Sequence, residues 1–372
     1  MPSEESVPEL IAAADPDIYD DAVDERLLEE EDTVEENLRY EITSYGADYD
    51  VEGLVKRLRN GDAKIPDFQR GYVWPIKQAS RFIESLLLGL PVPGIFLSNE
   101  PDTNKLLVID GHQRLTTLRA FYDGIFPPTK KEFSLTDVQP DLFGKTYKTL
   151  GDENRRILDN AIIHATVVKQ TDPKDGGSGI YKIFERLNSS GMLLSPQEIR
   201  TAIYGGTLSK LLTELNTNKK WRELFGPVNK RMRDQELVLR FLALYSNEKN
   251  YKRPMKTFLN DFMNVNRQLS QAECKKLSEV FNWSIEAVRD VLGVKAFKPV
   301  SAFNAAVFDA ILIAIAKRRE GGPIVDNQKF QDAYKELLAD TEFQQWTSRS
   351  TADDETLRKR LDRAKNAFAK VP

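Results

Sequence analysis

The period of the apolar positions divides the chain in two. From Tyr40 to Lys169, short β-branched or aromatic runs alternate with amphipathic stretches; beyond Gly179 nearly every apolar residue follows helical spacing. Tyr40-Glu41-Ile42-Thr43-Ser44-Tyr45 alternates and predicts a strand. Asp50 then caps a helix with Val51, Leu54, Val55 and Leu58 on one side, stopped by Asn60-Gly61. Pro75 precedes a second helix with Ala79, Phe82, Ile83, Leu86 and Leu87 inward. Ile95-Phe96-Leu97, Leu106-Leu107-Val108-Ile109 and Ala161 to Val168 predict strands, and Leu115, Leu118, Phe121 and Tyr122 a helix from about Arg114. Asp172 to Gly179 (DPKDGGSG) is a boundary by composition. After it, helices are expected over 180–187, 195–204, 235–246, 255–266, 272–292, 302–317, 328–338 and 353–369. The fold class is therefore α+β: a mixed α/β unit at 39–171, then an all-helical unit at 180–372, with 1–38 set apart.

Charge changes the picture more than composition does. Hydrophobic residues are 41% and charged residues 30%, which is ordinary for a folded chain of 372 residues. Residues 1–36, however, carry fifteen acidic side chains and one basic, Arg26; that is −14 against −4 for the whole, which leaves +10 on the remainder. So acidic a segment is expected to be a disordered, solvating tail, and so basic a body attracts phosphate polyanions. The single cysteine, Cys274, forms no internal disulfide and favours a reducing, cytoplasmic setting. The richest apolar run, Ala302 to Ala316, is interrupted by Asn304 and Asp309 and predicts a buried helix, not a membrane span. No basic region followed by an apolar stretch opens the chain, so no secretion signal is expected.

The chemistry gathers at Asp110-Gly111-His112-Gln113-Arg114. A buried strand ends at Asp-Gly and a helix follows, which is a natural anion site: unpaired N–H groups and partial positive charge lie at the helix start. Gly111 permits a sharp turn and close approach by a ligand. Arg114 offers a planar fork of donors for phosphate, and Gln113 a neutral donor and acceptor. Thr116 and Thr117 add hydroxyls in the first turn. Asp110 suits Mg²⁺ or the orienting of a water, and His112 a proton shuttle or base contact. Upstream, Gln69 and Arg70 are wedged between Phe68, Tyr72 and Trp74, which suits a pocket where aromatics flank a base better than it suits a core.

These strings together resemble a known family. Ile65-Pro-x-Phe-Gln-Arg-x-Tyr-x-Trp74, Ser85-Leu-Leu-Leu-Gly89, Pro91-x-Pro93 and Val108-Ile-Asp-Gly-His-Gln-Arg-Leu-Thr-Thr-Leu118 are similar to the N-terminal domain of GmrSD-type restriction endonucleases, itself like the ParB and sulfiredoxin superfamily. Phe184-Glu-Arg-Leu-Asn-Ser-Ser-Gly-Met-Leu-Leu-Ser-Pro-Gln-Glu198 and Arg233-Asp234-x-Glu236-Leu-Val-Leu-Arg240 also fit the pattern. The resemblance implies a ParB/sulfiredoxin-like α/β domain that binds and hydrolyses a nucleoside triphosphate with Mg²⁺, coupled to DNA restriction or phage defence. It implies a phosphate and nucleotide site from Gln69, Arg70, Trp74, Gly111, His112, Thr117, Arg186 and Asn188, with Asp110, Gln113 and Arg114 in the chemistry. The family's motif has Gln where this chain has His112, which leaves the role of that position open. Relatives often carry a His-Asn-His-type nuclease domain; with only His112 and His164 in the whole chain, that metal site is not expected here, and a partner nuclease subunit is. The alternatives are a nucleotide-gated DNA-binding module without hydrolysis, or a direct Mg²⁺-dependent nuclease.

Other features carry less. Gly144-Lys145-Thr146 lacks the earlier glycine of a P-loop, since position 139 is Gln. Position 112 is not cysteine, which excludes sulfiredoxin chemistry. His164, in an apolar strand, reads as a satisfied structural histidine. Lys220, Arg222, Arg231 and Arg233 around Trp221 are candidates for tracking a nucleic-acid backbone with the indole stacked on a base, though a solvated basic face explains them as well; Lys249, Lys252 and Arg253 around Tyr251 read the same way.

Overall fold

The computed structural model describes residues 41–65, 72–99, 105–172, 178–187 and 194–372. The acidic segment, the Gln69-Arg70 pair and Asn188 lie outside the described residues. Strands β1 (Glu41–Asp50), β2 (Ala63–Lys64), β3 (Ile95–Asn99), β4 (Leu106–Asp110) and β5 (Ile162–Asp172) form one sheet in the order β1-β5-β3-β4-β2. β1 and β5 are antiparallel, as are β3 and β4; β3 runs parallel to β5, and β2 parallel to β4. The helices α1 (Val51–Asn60), α2 (Ile76–Leu87), α3 (His112–Asp123) and α4 (Asp152–Asn160) complete this half. Asp50 caps α1 as expected, accepting from the Gly53 N–H at 2.7 Å, and Gly61 closes it in the left-handed region.

Beyond β5 come α5 (Ser178–Leu187), α6 (Pro196–Ile203), α7 (Thr207–Asn216), α8 (Lys219–Phe225), α9 (Arg233–Asn247), α10 (Met255–Val265), α11 (Gln271–Ala287), α12 (Ala305–Arg319), α13 (Asn327–Ala339), α14 (Thr341–Trp346) and α15 (Asp354–Ala369). The α+β plan thus holds. β1 is longer than its sequence pattern because it pairs with β5 along its whole length, up to Asp50 opposite Ile162.

The sheet is covered on both faces. Leu106 and Val108 of β4, Leu97 of β3 and Val167 of β5 pack with α1, α2 and α3. The intervening Leu107 and Ile109, with Val168, join the core of the helical half together with Ile180, Tyr181 and Phe184 of α5. This explains why β4 reads as an unbroken Leu-Leu-Val-Ile run: each face must be apolar, so alternation disappears.

The helical core also holds charge. α12 is buried from Ala305 to Ala316, and its Asp309 lies fully inside, paired with Arg240 of α9 at 2.7 Å and Arg360 of α15 at 3.5 Å. Arg200 of α6 pairs with Glu236 of α9 at 2.8 Å and donates to Asn260 at 2.8 Å. Asp234 accepts from Arg222 at 2.7 Å and Asn216 at 2.9 Å. The string Arg233-Asp-x-Glu-Leu-Val-Leu-Arg240 therefore fixes α9 to its neighbours through the buried Asp234 and Arg240 and the half-buried Glu236.

Candidate functional site

β4 ends at Asp110, Gly111 turns with φ +99°, and α3 begins at His112. Glycine is required here twice over. The left-handed φ disfavours any side chain, and a Cβ would stand 2.4 Å from Ile95 Cγ2 on the neighbouring strand. The first intrahelical bond runs from the Leu115 N–H to the Gly111 carbonyl at 2.9 Å. The N–H groups of His112, Gln113 and Arg114 precede it, so the helix presents its positive end at the strand tip.

The side chains of the turn are largely engaged. Arg114 Nη2 donates to Asp110 Oδ2 at 2.9 Å; the arginine side chain is 13% exposed and the aspartate 57%. Among the described residues, Arg114 Nε is buried without a hydrogen-bond partner. Gln113 Oε1 accepts from the backbone N–H groups of Val73 at 3.2 Å and Trp74 at 3.4 Å, and its amide nitrogen lies 2.8 Å from His112 Nε2, to which it donates. Thr117, expected to face phosphate, is fully buried instead. Its hydroxyl donates to the Gln113 carbonyl at 2.8 Å and accepts from the Tyr72 hydroxyl at 2.7 Å. Burial pushes the Tyr72 phenol up to about 12, against a smaller downward pull from Thr117.

Tyr72 and Trp74, the described aromatics beside Gln69-Arg70, do not splay open for a base. Tyr72 meets Phe126 edge-on at 5.6 Å, and Trp74 meets Phe82 at 5.7 Å. They anchor the returning end of that segment on α3 and α2. The signal for this was present in the sequence, since tyrosine and tryptophan suit half-buried positions where the polar tip finds a partner. Arg186 is exposed in the last turn of α5, across the sheet from α3.

The candidate nucleic-acid residues do not form an exposed stacking platform. Trp221 is fully buried, its indole N–H donating to Asn216 Oδ1 at 2.9 Å and its ring set against Phe225, Phe281, Phe303 and Phe308. The Asn218 cap and the spacing Trp221, Leu224, Phe225 mark a short core-facing helix, a pattern interleaved with cationic positions. Lys220 bridges Glu286 and Asp290 at 2.6 Å each, and its ammonium is held above the ordinary lysine range chiefly by the Asp290 hydrogen bond, then that of Glu286. Arg222 is committed to Asp234. Arg231 and Arg233 are half-buried at the start of α9, with their backbone N–H groups on Asn229 Oδ1. Tyr251 is likewise buried, bonded to the Ala352 carbonyl.

His164 is a satisfied histidine as expected, though at the surface. Its side chain is exposed on β5 and pairs across the strands with Asp48 at 2.6 Å. The apolar residues beside it, Ile163 and Ala165, face the opposite side. Thr146 caps a single turn at Tyr147–Thr149, which confirms that Gly144-Lys145-Thr146 is not a phosphate loop.

Among the described residues no three His, Cys, Asp or Glu side chains converge on a metal-sized point. A Mg²⁺ ion that arrives with polyphosphate needs only one or two carboxylates, the rest of its shell being phosphate oxygens and water. Asp110, exposed at the strand tip, fits that smaller demand.

Residues 51–205 match the model of the GmrSD restriction endonuclease N-terminal domain. The span covers the turn at Asp110 and helices α1 through α6. An uncharacterized protein of Methanocaldococcus jannaschii is 32% identical over 98 residues, covering 20% of this chain. The chain spans 17% of that relative's length. Among the described residues no helix is long and apolar enough to cross a membrane.

Proposed function

We propose, from the GmrSD N-terminal domain that residues 51–205 carry, that this chain binds and hydrolyses a nucleoside triphosphate and so gates a DNA-directed restriction response. The observation that carries the reading is the strand tip, left-handed Gly111 and helix start, with the Arg114 guanidinium lying over the turn. The N–H groups of His112, Gln113 and Arg114 bind phosphate oxygens, and Arg114 adds charge. Asp110 holds Mg²⁺, which, when bound, neutralises the phosphate charge.

Gln113, placed in the chemistry by its position in the motif, takes a different part. Both ends of its amide are occupied, so it is a positioning residue that holds the Val73–Trp74 backbone against α3. Gln69 and Arg70, which lie outside the described residues, are assigned to the phosphate by their place in the motif. Arg186 and Asn188, the latter outside the described residues, are assigned to the nucleotide only by their place in the motif, and cutting of DNA falls to a partner subunit.

The test is phosphate release from each of the four ribonucleoside triphosphates, with and without DNA. Wild type turns over at least one, and Arg114→Ala lowers that rate at least about tenfold. No release from any of the four overturns hydrolysis. A second reading, a nucleotide-gated DNA clamp without turnover, is favoured by one observation: Gln113 is occupied and Asp110 is paired, so neither is poised to activate water. Calorimetric nucleotide binding in the absence of phosphate release supports that reading over the first.

A further inference from the structure

We propose that Asp110 is a built-in competitor for its own anion site. Its carboxylate holds the Arg114 guanidinium until a divalent cation draws it away, and only then does a polyphosphate gain the arginine. The inference rests on the nucleotide reading above and concerns the regulation of that site.

Three features of the turn support it. First, Arg114 is folded back rather than extended: its Nη2 lies 3.3 Å from where a Cβ on Gly111 would stand and 2.9 Å from Asp110 Oδ2. Second, the fork is half used. The carboxylate takes Nη2, while Nε is buried without an acceptor among the described residues. A phosphate presents several oxygens to one guanidinium and satisfies two adjacent donors at once. Third, the two partners differ in freedom. The arginine is 13% exposed and the aspartate 57%, and that carboxylate makes no other hydrogen bond among the described residues. Asp110 is thus the partner that can leave.

A carboxylate and a phosphate held beside this one arginine repel each other, so each weakens the other's hold on it. Without metal, Asp110 wins by proximity. With metal, Asp110 becomes a ligand, its charge is neutralised, and the guanidinium is released to the phosphate. Metal and polyphosphate then bind with positive coupling through one ion pair. The arrangement prevents the turn from filling with stray anions when no metal-bound nucleotide is present.

The experiment titrates inorganic tripolyphosphate into wild type, Asp110→Asn and Arg114→Ala by calorimetry, once in EDTA and once in Mg²⁺. Asp110→Ser serves as a second variant, and thermal melts confirm that each is folded. In EDTA, Asp110→Asn and Asp110→Ser bind tripolyphosphate about threefold to tenfold more tightly than wild type, and both lose most of the gain that Mg²⁺ gives wild type. Equal or weaker binding by both Asp110 variants in EDTA overturns the competitor role while leaving the site intact. If Arg114→Ala binds as well as wild type, or wild type does not bind in either buffer, the nucleotide site itself is overturned.

Discussion

At the scale of single residues, the turn depends on an absent side chain. Gly111 tolerates φ +99° and leaves space filled by Ile95 on one side and Arg114 on the other. Gly111→Ala combines a left-handed alanine with a contact far inside van der Waals range. It is expected to destabilise the fold by about 2–4 kcal/mol, read as a lower urea midpoint with unchanged slope. The motif Asp110 to Arg114 was legible as an anion turn because its signals are local: a buried strand, Asp-Gly, then helix. The roles of Gln113 and Thr117 were not legible. Their partners, Val73 and Tyr72, lie 40 and 45 residues away, and nothing in the spacing announces a side chain–backbone bond across that distance.

At the scale of elements, the long periodic helices and the central strands were readable from their apolar spacing, while β2, α4, α7, α8 and α14 were not. β2 is two residues long and exists only because it pairs with β4. In α8 the cationic positions masked a core pattern. The buried ions of α9 and α12 show a different limit, since a charge in an apolar helix is visible in sequence but its partner is not. Asp309 serves two arginines that are both buried. Asp309→Ala removes the buried carboxylate that the two share and is expected to cost about 3–5 kcal/mol, enough to lower the melting temperature by several degrees in a scan of the purified protein. Asp309→Ala together with Arg240→Met and Arg360→Met recovers part of that loss, because an apolar replacement removes the buried charge.

At the scale of the whole molecule, the charge division remains the plainest feature of the sequence: −14 on residues 1–36 and +10 on the rest. The DNA reading now rests on that net charge and on the matched domain, since Trp221 belongs to the core. Stability should depend on alkali in a definite way. Burial pushes the phenols of Tyr72 and Tyr147 up to about 12, and raises that of Tyr122 as well, its hydroxyl and that of Tyr147 both bonded to Asp159. An unfolded tyrosine ionises near pH 10. Below that value the stabilisation is fully present; above it the unfolded chain loses protons first, and stability falls as pH rises toward 12. Denaturant midpoints at pH 8, 10 and 11 should be level and then decline, with Tyr72→Phe removing part of the decline.

β4 has a further consequence through its two apolar faces. Leu107 and Ile109 look into one packed layer, Leu106 and Val108 into the other, and Asp110 is the next residue along. Close-packed layers do not deform gradually. A pull on the end of this strand therefore meets the side chains of both layers at once, as a tug on a party wall is felt in two houses.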